Sequence, residues 1–241
     1  MRKPDAHLSH LDSYAIAIRS AILLAVSRQS KTSTSPLSLA EESLARAVRS
    51  LSRRDPDLAR VVKKHGPPPM WAREAGFSTL LHIILEQQVS LASARAAHTK
   101  LLDIASPLTP QGFLKLDDAT LKAVGFSRQK TSYGRILARS ILESELDLES
   151  LTSMNDAAVR SELIKIKGIG RWTADIYLLM VLLRPDIWPA GDLALAVAAQ
   201  NVKRLKTRPT PDQLDKLALA WSPWRAVAAR ILWHHYLSEM A

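Results

Sequence analysis

Two glycines and several basic side chains form a short stretch that is suited to holding phosphate. Gly168 and Gly170 flank Ile169, so the backbone there can adopt left-handed angles and approach a ligand closely. We expect Arg171 to open a new helix, whose free N–H groups and positive dipole end attract anions. Lys167 and Arg171 add formal positive charge beside the turn. The stretch therefore predicts a helical hairpin that binds phosphate through its backbone.

An aromatic side chain and a carboxylate follow the turn. Trp172 lies just inside the second helix of the predicted hairpin, and Asp192 comes after that helix, between Gly191 and an apolar run. A carboxylate can stabilise a positive charge that develops during a reaction, and an indole can stack on a cationic ligand. Two plainer interpretations stay open: Asp192 as the N-cap of the next helix, and the glycine turn as an ordinary connection between helices.

These side chains must be positioned by helices. Apolar residues recur at helical spacing from residue 38 to the end of the chain, and period-two alternation is nearly absent, so the predicted fold is all-α. The expected helix starts carry residues that commonly cap helices: a Ser38–Glu41 capping box, Ser90, Ser127 and Asn155. Residues 1–37 are predicted to be a leader and a flexible, Ser/Thr-rich linker.

Composition limits the classes of function. The chain has 241 residues, a formal net charge of +10 and a pI of about 10.0, which favours a polyanionic partner. Cysteine is absent, so disulfides, a cysteine nucleophile and thiolate-bound zinc or iron–sulfur clusters are excluded. No HExxH motif is present, and we expect no catalytic metal. No apolar run is long enough to span a bilayer, and we expect a cytoplasmic, nucleoid-associated protein.

Four segments give the chain a family resemblance: LEQQVS at 85–90, KGIGRWTAD at 167–175, WPAGDLAL at 188–195 and WSPWRAVAARILW at 221–233. In this order they resemble the helix-hairpin-helix (HhH-GPD) DNA glycosylase superfamily, most of all its 3-methyladenine DNA glycosylase II type. The resemblance covers residues from about 40 to 241. It implies a glycosylase domain at 38–241 with a cleft between two helical subdomains, one at about 77–180 and one from about 38–70 plus 185–241.

The resemblance assigns roles around the cleft. Asp192 matches the family's catalytic aspartate, and Trp233 matches an aromatic residue near it. Trp172 stands where bifunctional relatives have the lysine that forms a Schiff base, so the resemblance implies base release without lyase activity. Ile176 and Leu193 occupy positions where the best-known alkylation enzymes have further pocket aromatics, and this departure leaves the range of substrates open.

The resemblance also assigns DNA contacts. Gln88 matches the side chain that fills the gap left by a flipped nucleotide, and Gln87 is expected to contact DNA or to support that loop. The hairpin residues expected to bind the DNA backbone are Lys167, Gly168, Ile169, Gly170 and Arg171. Family members bind a monovalent cation on hairpin carbonyls, for which the equivalents here are Ile164, Ile166 and Ile169; no other cofactor is expected.

The function implied is a monofunctional DNA N-glycosylase that flips out alkylated purines and hydrolyses their glycosidic bond in base excision repair. Its expected partner is double-stranded DNA with a damaged base, bound by a monomer and without a membrane. Three alternatives stay open: a glycosylase for deaminated or oxidised bases, a DNA-binding module that has lost its chemistry, and a helical adaptor whose tryptophans all belong to the core.

Overall fold

The computed structural model describes residues 38–239. The predicted leader and linker at 1–37 lie outside this range, so the domain boundaries stay a prediction. Within the described range the chain forms α-helices, two short 3₁₀ turns and no strand, which confirms the all-α prediction. The helices are α1 Glu41–Arg54, α2 Pro56–His65, α3 Phe77–Glu86, α4 Leu91–Ile104, α5 Pro110–Lys115, α6 Asp118–Ala123, α7 Arg128–Leu142, α8 Asp156–Ile164, α9 Arg171–Met180, α10 Leu193–Val202, α11 Pro211–Ala218 and α12 Arg225–Glu239.

Most of the predicted helix starts are confirmed by their cap hydrogen bonds. Ser90, Ser127 and Asn155 each accept a hydrogen bond from a backbone N–H in the first turn of α4, α7 and α8. The predicted cap at Ser38 is wrong. Helix α1 has Ala40 as its N-cap, and the Ser38 hydroxyl donates instead to the carbonyl of Leu182, at 2.9 Å.

The helices pack in two groups that differ in their place along the chain. Helices α3 to α9 form one group, in which α4 packs on α3, α7 contacts α3, α5 and α6, and α9 contacts α3 and α8. Helix α12 packs on α1, α2 and α10, and α10 also contacts α11. The second group therefore combines the start of the described chain with its end. Helices α9 and α10, which carry Trp172 and Asp192, belong to different groups.

A buried arginine joins the two groups. Arg230 of α12 is 0% exposed and donates to the carbonyl of Leu179 at 2.7 Å, at the end of α9, and to that of Met70 at 2.8 Å. Burial lowers the pKa of Arg230 to about 10, and the carbonyl acceptors compensate for the lost hydration of the guanidinium group. This contact fixes α9 relative to α12. Among the residues that the structure describes, no helix is both long and apolar enough to cross a membrane.

Candidate active site

The hairpin turn depends on one of its two glycines. Gly168 has a φ of +100°, and a Cβ atom at this position would lie 2.3 Å from Cγ of Tyr133. Gly170 differs: its φ is −93° and a Cβ would meet nothing within 4 Å. The left-handed angle that the two glycines permit is therefore used at Gly168 and not at Gly170. Gly170 is instead the N-cap of α9 and offers no side-chain acceptor, so the first N–H groups of that helix stay open to an anion.

Charged and apolar side chains around the turn lie in different environments. Lys167 and Arg171 are exposed, as an electrostatic contact with DNA requires. Ile169 is only 3% exposed, and its N–H donates to the carbonyl of Ile166 at 2.9 Å. Its side chain therefore belongs to the core. The side chain and the N–H of Ile169 are thus both used within the protein, whereas the side chain of Ile164 is exposed.

An ion pair that the sequence analysis missed fixes the two helices of the hairpin to each other. Asp175 of α9 is 0% exposed and accepts a hydrogen bond from Nε of Arg160 in α8, at 2.8 Å. Burial raises the pKa of Asp175, although Arg160 acts in the opposite direction. Removing Arg160 would leave the buried carboxylate without its strongest partner. The sequence positions of Asp175 and Arg160 in two different helices did not indicate that their side chains form an ion pair.

Asp192 lies where the hairpin helix, α10 and α12 meet. It is the N-cap of α10, the plainer interpretation that the sequence left open, with Oδ1 accepting from the N–H of Leu195 at 2.8 Å. The indole Nε1 of Trp172 donates to Oδ2 at 2.9 Å, and Nε1 of Trp233 donates to Oδ1 at 3.2 Å. The carboxylate thus has partners from three helices. None of its partners among the described residues is a cation.

The loop that presents Asp192 is held at its base by α12. Asp186 accepts two hydrogen bonds from the guanidinium group of Arg225, at 2.9 and 2.8 Å. Burial alone would raise the pKa of Asp186, but the hydrogen bonds from Arg225 hold it below the ordinary value. Trp188 packs against Trp221 with 5.5 Å between ring centroids. Gly191 then turns the chain into Asp192 with a φ of +78°. The carboxylate is therefore set on a rigid support.

The two other predicted pocket residues lie in opposite environments. Ile176 follows Trp172 by one helical turn and is 2% exposed, within the hydrophobic core. Leu193 is next to Asp192 and is 64% exposed. Tyr177, the next residue of α9 after Ile176, is fully buried, and burial raises its pKa to about 12. Leu193 is thus accessible from solvent, whereas Ile176 is a core residue.

The Gln87–Gln88 segment follows α3 and lies beside the hairpin. Gln88 is exposed and has a φ of +57°. Gln87 is half-buried, and its Nε2 donates to the carbonyl of Gly168 at 2.8 Å and to Oγ1 of Thr173 at 2.9 Å. The structure therefore places Gln88 at the surface, as a gap-filling side chain requires, and uses the Gln87 amide within the protein. Sequence reasoning missed this connection between α3 and the hairpin.

Comparison with known proteins agrees with this geometry. Residues 81–224 match the family model described as HhH-GPD superfamily base excision DNA repair protein, a range that contains the hairpin, Asp192 and Gln88. The chain belongs to the HhH-GPD superfamily of base excision DNA repair proteins.

Individual relatives are similar over most of their length. An alkylbase DNA glycosidase-like protein from Schizosaccharomyces pombe, mag2, is 30% identical over 78% of this chain and 92% of its own. DNA-3-methyladenine glycosylase 1 of the same organism is 28% identical over 79% of this chain and 87% of its own. The solved structure of a 3-methyladenine DNA glycosylase from that yeast in complex with abasic DNA superposes with a TM-score of 0.76 and 28% identity, over 81% of this chain and 98% of the other.

Proposed function

We propose that this protein is a DNA N-glycosylase that removes alkylated purines of the 3-methyladenine type in base excision repair. The observation that carries this proposal is the carboxylate of Asp192, which accepts hydrogen bonds from the indoles of Trp172 and Trp233 and has no cationic partner in the described chain. The names of the relatives, which are those of alkylbase and 3-methyladenine glycosylases, support the substrate class. The protein is thus an enzyme that hydrolyses an N-glycosidic bond.

Binding begins at the hairpin. The open N–H groups at the start of α9 donate to a phosphate of duplex DNA, and the exposed Lys167 and Arg171 attract the backbone, so binding is sensitive to salt. The damaged nucleotide rotates out of the stack, because its glycosidic carbon cannot be reached inside the duplex. Gln88, exposed beside the hairpin, fills the space that the base leaves.

Asp192 then acts on the extruded nucleotide. An alkylated purine carries positive charge, and the electron-rich face of Trp172 attracts it by up to about 2 kcal/mol when the pair is desolvated. As the glycosidic bond breaks, the sugar becomes an oxocarbenium-like cation, which the carboxylate of Asp192 stabilises while water attacks. Because the cationic base is already a good leaving group, this step needs no general acid. Trp172 has no amine, so no Schiff base forms and the product keeps an abasic site.

We also propose a monovalent cation on the hairpin carbonyls of Ile164, Ile166 and Ile169. The carbonyl of Ile166 already accepts one hydrogen bond from the N–H of Ile169, and a carbonyl oxygen has a second lone pair for a cation. Such a cation would add positive charge beside the phosphate. The proposed complex is a monomer on damaged double-stranded DNA, in the compartment that holds the chromosome.

The test is a base-release assay on duplexes that each contain one damaged base. Duplexes with 3-methyladenine or 7-methylguanine should yield free base and an alkali-labile abasic site, with no strand cleavage before alkali treatment. Uracil and 8-oxoguanine duplexes of the same sequence serve as comparisons. Faster release of either comparison base would assign the enzyme to a different lesion. Salt-sensitive binding without release from any duplex would leave only a DNA-binding module, and an absence of both would favour a helical adaptor.

A further inference from the structure

The Gln87 side chain connects two parts of the proposed enzyme that are far apart in sequence. Its Nε2 donates to the Gly168 carbonyl, in the phosphate-binding turn, and to the hydroxyl of Thr173, in the first turn of α9. Thr173 is 2% exposed, so the second bond lies inside the protein. Both N–H groups of the Gln87 amide are therefore used on the hairpin, one on each side of its helix start.

The next residue has a backbone conformation that needs support. Gln88 has a φ of +57°, in the left-handed region that residues other than Gly, Asn and Asp rarely adopt. Such a conformation persists only where surrounding contacts determine it. On the other side of the loop, Nζ of Lys130 donates to the carbonyl of Leu85 at 2.6 Å. The segment that carries Gln88 is thus held by Lys130 at the end of α3 and by Gln87 at the hairpin.

We propose that Gln87 is a positioning residue that couples engagement of phosphate at the hairpin to insertion of Gln88 into the duplex. Because the amide binds the turn itself, the Gln88 backbone is oriented relative to the same phosphate-binding group that fixes the DNA. A duplex held at the hairpin then meets Gln88 at a set position and depth. Gln87 does not touch the substrate in this account, and its effect passes through Gln88. The inference rests on the proposed function for the identity of the substrate, whereas the contacts of Gln87 do not depend on that function.

The test compares Gln87→Met, which keeps the length of the side chain and removes both donors, with Gln111→Met, the same change at an exposed position of α5. Two substrates are used: 7-methylguanine paired with cytosine, and 7-methylguanine in a single-nucleotide bulge, where no base pair has to be opened. Single-turnover release is measured on each. Loss of the two part-buried hydrogen bonds should slow release from the paired duplex by about tenfold, whereas the bulge should be processed at nearly the wild-type rate. Gln111→Met should match wild type on both.

A second measurement does not depend on chemistry. The fluorescence of 2-aminopurine, placed in the duplex at the position to be flipped, rises when that base unstacks. Wild type should raise it on binding, and Gln87→Met should bind with similar affinity and raise it less. Thr173→Val, which removes one of the two acceptors and keeps the shape of the side chain, should give an intermediate signal.

The results distinguish coupling from a merely structural role. Equal slowing on the paired and bulged substrates, or an unchanged 2-aminopurine signal in Gln87→Met, would overturn the proposal. If wild type released no base from any duplex and the fluorescence difference persisted, the proposed function would fail while the coupling stood. Normal release by wild type together with an unchanged ratio between the two substrates in Gln87→Met would refute the coupling alone.

Discussion

Asp55 and Asp192 have the same local structure and opposite electrostatic surroundings. Each is 8% exposed, each caps a helix, and each accepts a hydrogen bond from an indole N–H. For Asp55 the indole is that of Trp221, at 2.7 Å, and Nζ of Lys203 binds both carboxylate oxygens at 2.7 Å. Asp192 has two indoles and no such cation.

The difference shows which acid is structural and which is available for chemistry. The charge of Asp55 is neutralised within the protein: burial alone would raise its pKa, but hydrogen bonds from Lys203 and Trp221 bring it below the ordinary value. The charge of Asp192 is oriented by neutral donors and is not cancelled. A buried carboxylate with an uncompensated charge strongly favours a cation that forms beside it. In the proposed reaction that cation is the sugar.

The largest effect should follow from Asp192→Asn. Asparagine caps helices about as well as aspartate, so the free energy of unfolding should change by less than about 1 kcal/mol. The loss of charge should slow base release by about a thousandfold, as removal of one electrostatic stabiliser does elsewhere. Single-turnover release from methylated duplex, with DNA binding measured by fluorescence anisotropy as the control, checks this. Release at the wild-type rate would remove Asp192 from the mechanism.

Asp55→Asn should have the converse effect. Among the described residues it leaves Lys203, whose side chain is 15% exposed, with Asp57 as its one ion-pair partner. The free energy of unfolding should fall by about 3 kcal/mol. Base release per folded molecule should be unchanged at temperatures where the variant is folded. Urea titration followed by circular dichroism measures the loss.

The pH dependence provides the control for Asp55. Because its pKa is lowered in the folded state, its stabilising contribution is present above the unfolded value and is lost as pH falls through the folded one. The difference between wild type and Asp55→Asn should therefore shrink below about pH 4. A difference that is the same at pH 3 and pH 7 would contradict the ionic account of this cluster.

The smallest effects should come from the indole donors. Trp172→Phe and Trp233→Phe keep an aromatic ring and remove the N–H that orients the Asp192 carboxylate. Each lost bond should slow base release by about threefold to tenfold, with the larger effect at Trp172, whose bond is shorter (2.9 against 3.2 Å). Trp221→Phe, the matched change at Asp55, should lower stability without slowing release. Equal effects of all three on release would remove the distinction between the two acids.

The sequence predicted best what is local. Helix starts at Ser90, Ser127 and Asn155 follow from a single side chain and its neighbouring amides, and they were confirmed. The predicted helix cap at Ser38 was wrong, because its hydroxyl donates to a carbonyl that is distant in sequence. Gly168 and Gly170 look alike in sequence, and the structure distinguishes them by their φ angles and by the approach of Tyr133 to Gly168.

Residue types alone indicated the glycine turn, Trp172 and Asp192, but the roles of the site residues were predicted through family resemblance. Asp192 and Trp172 could be assigned to one site because both lie in segments that resemble the family. The direct hydrogen bond between them is visible only in the structure. The bonds of Gln87 to Gly168 and Thr173 join segments whose sequence separation carries no periodic signal. Contacts of this kind depend on how the helices pack, which the pattern of apolar residues does not determine.

The most direct test of the uncompensated charge of Asp192 is the affinity for two duplexes that differ only in one sugar analogue. One contains a neutral tetrahydrofuran abasic site, and the other a pyrrolidine whose ring nitrogen is protonated and mimics the cationic transition state. Wild type should bind the cationic duplex about a hundredfold more tightly, as transition-state analogues are bound, and Asp192→Asn should bind the two almost equally. Equal binding by wild type, or a preference for the cation that persists in Asp192→Asn, would contradict the account.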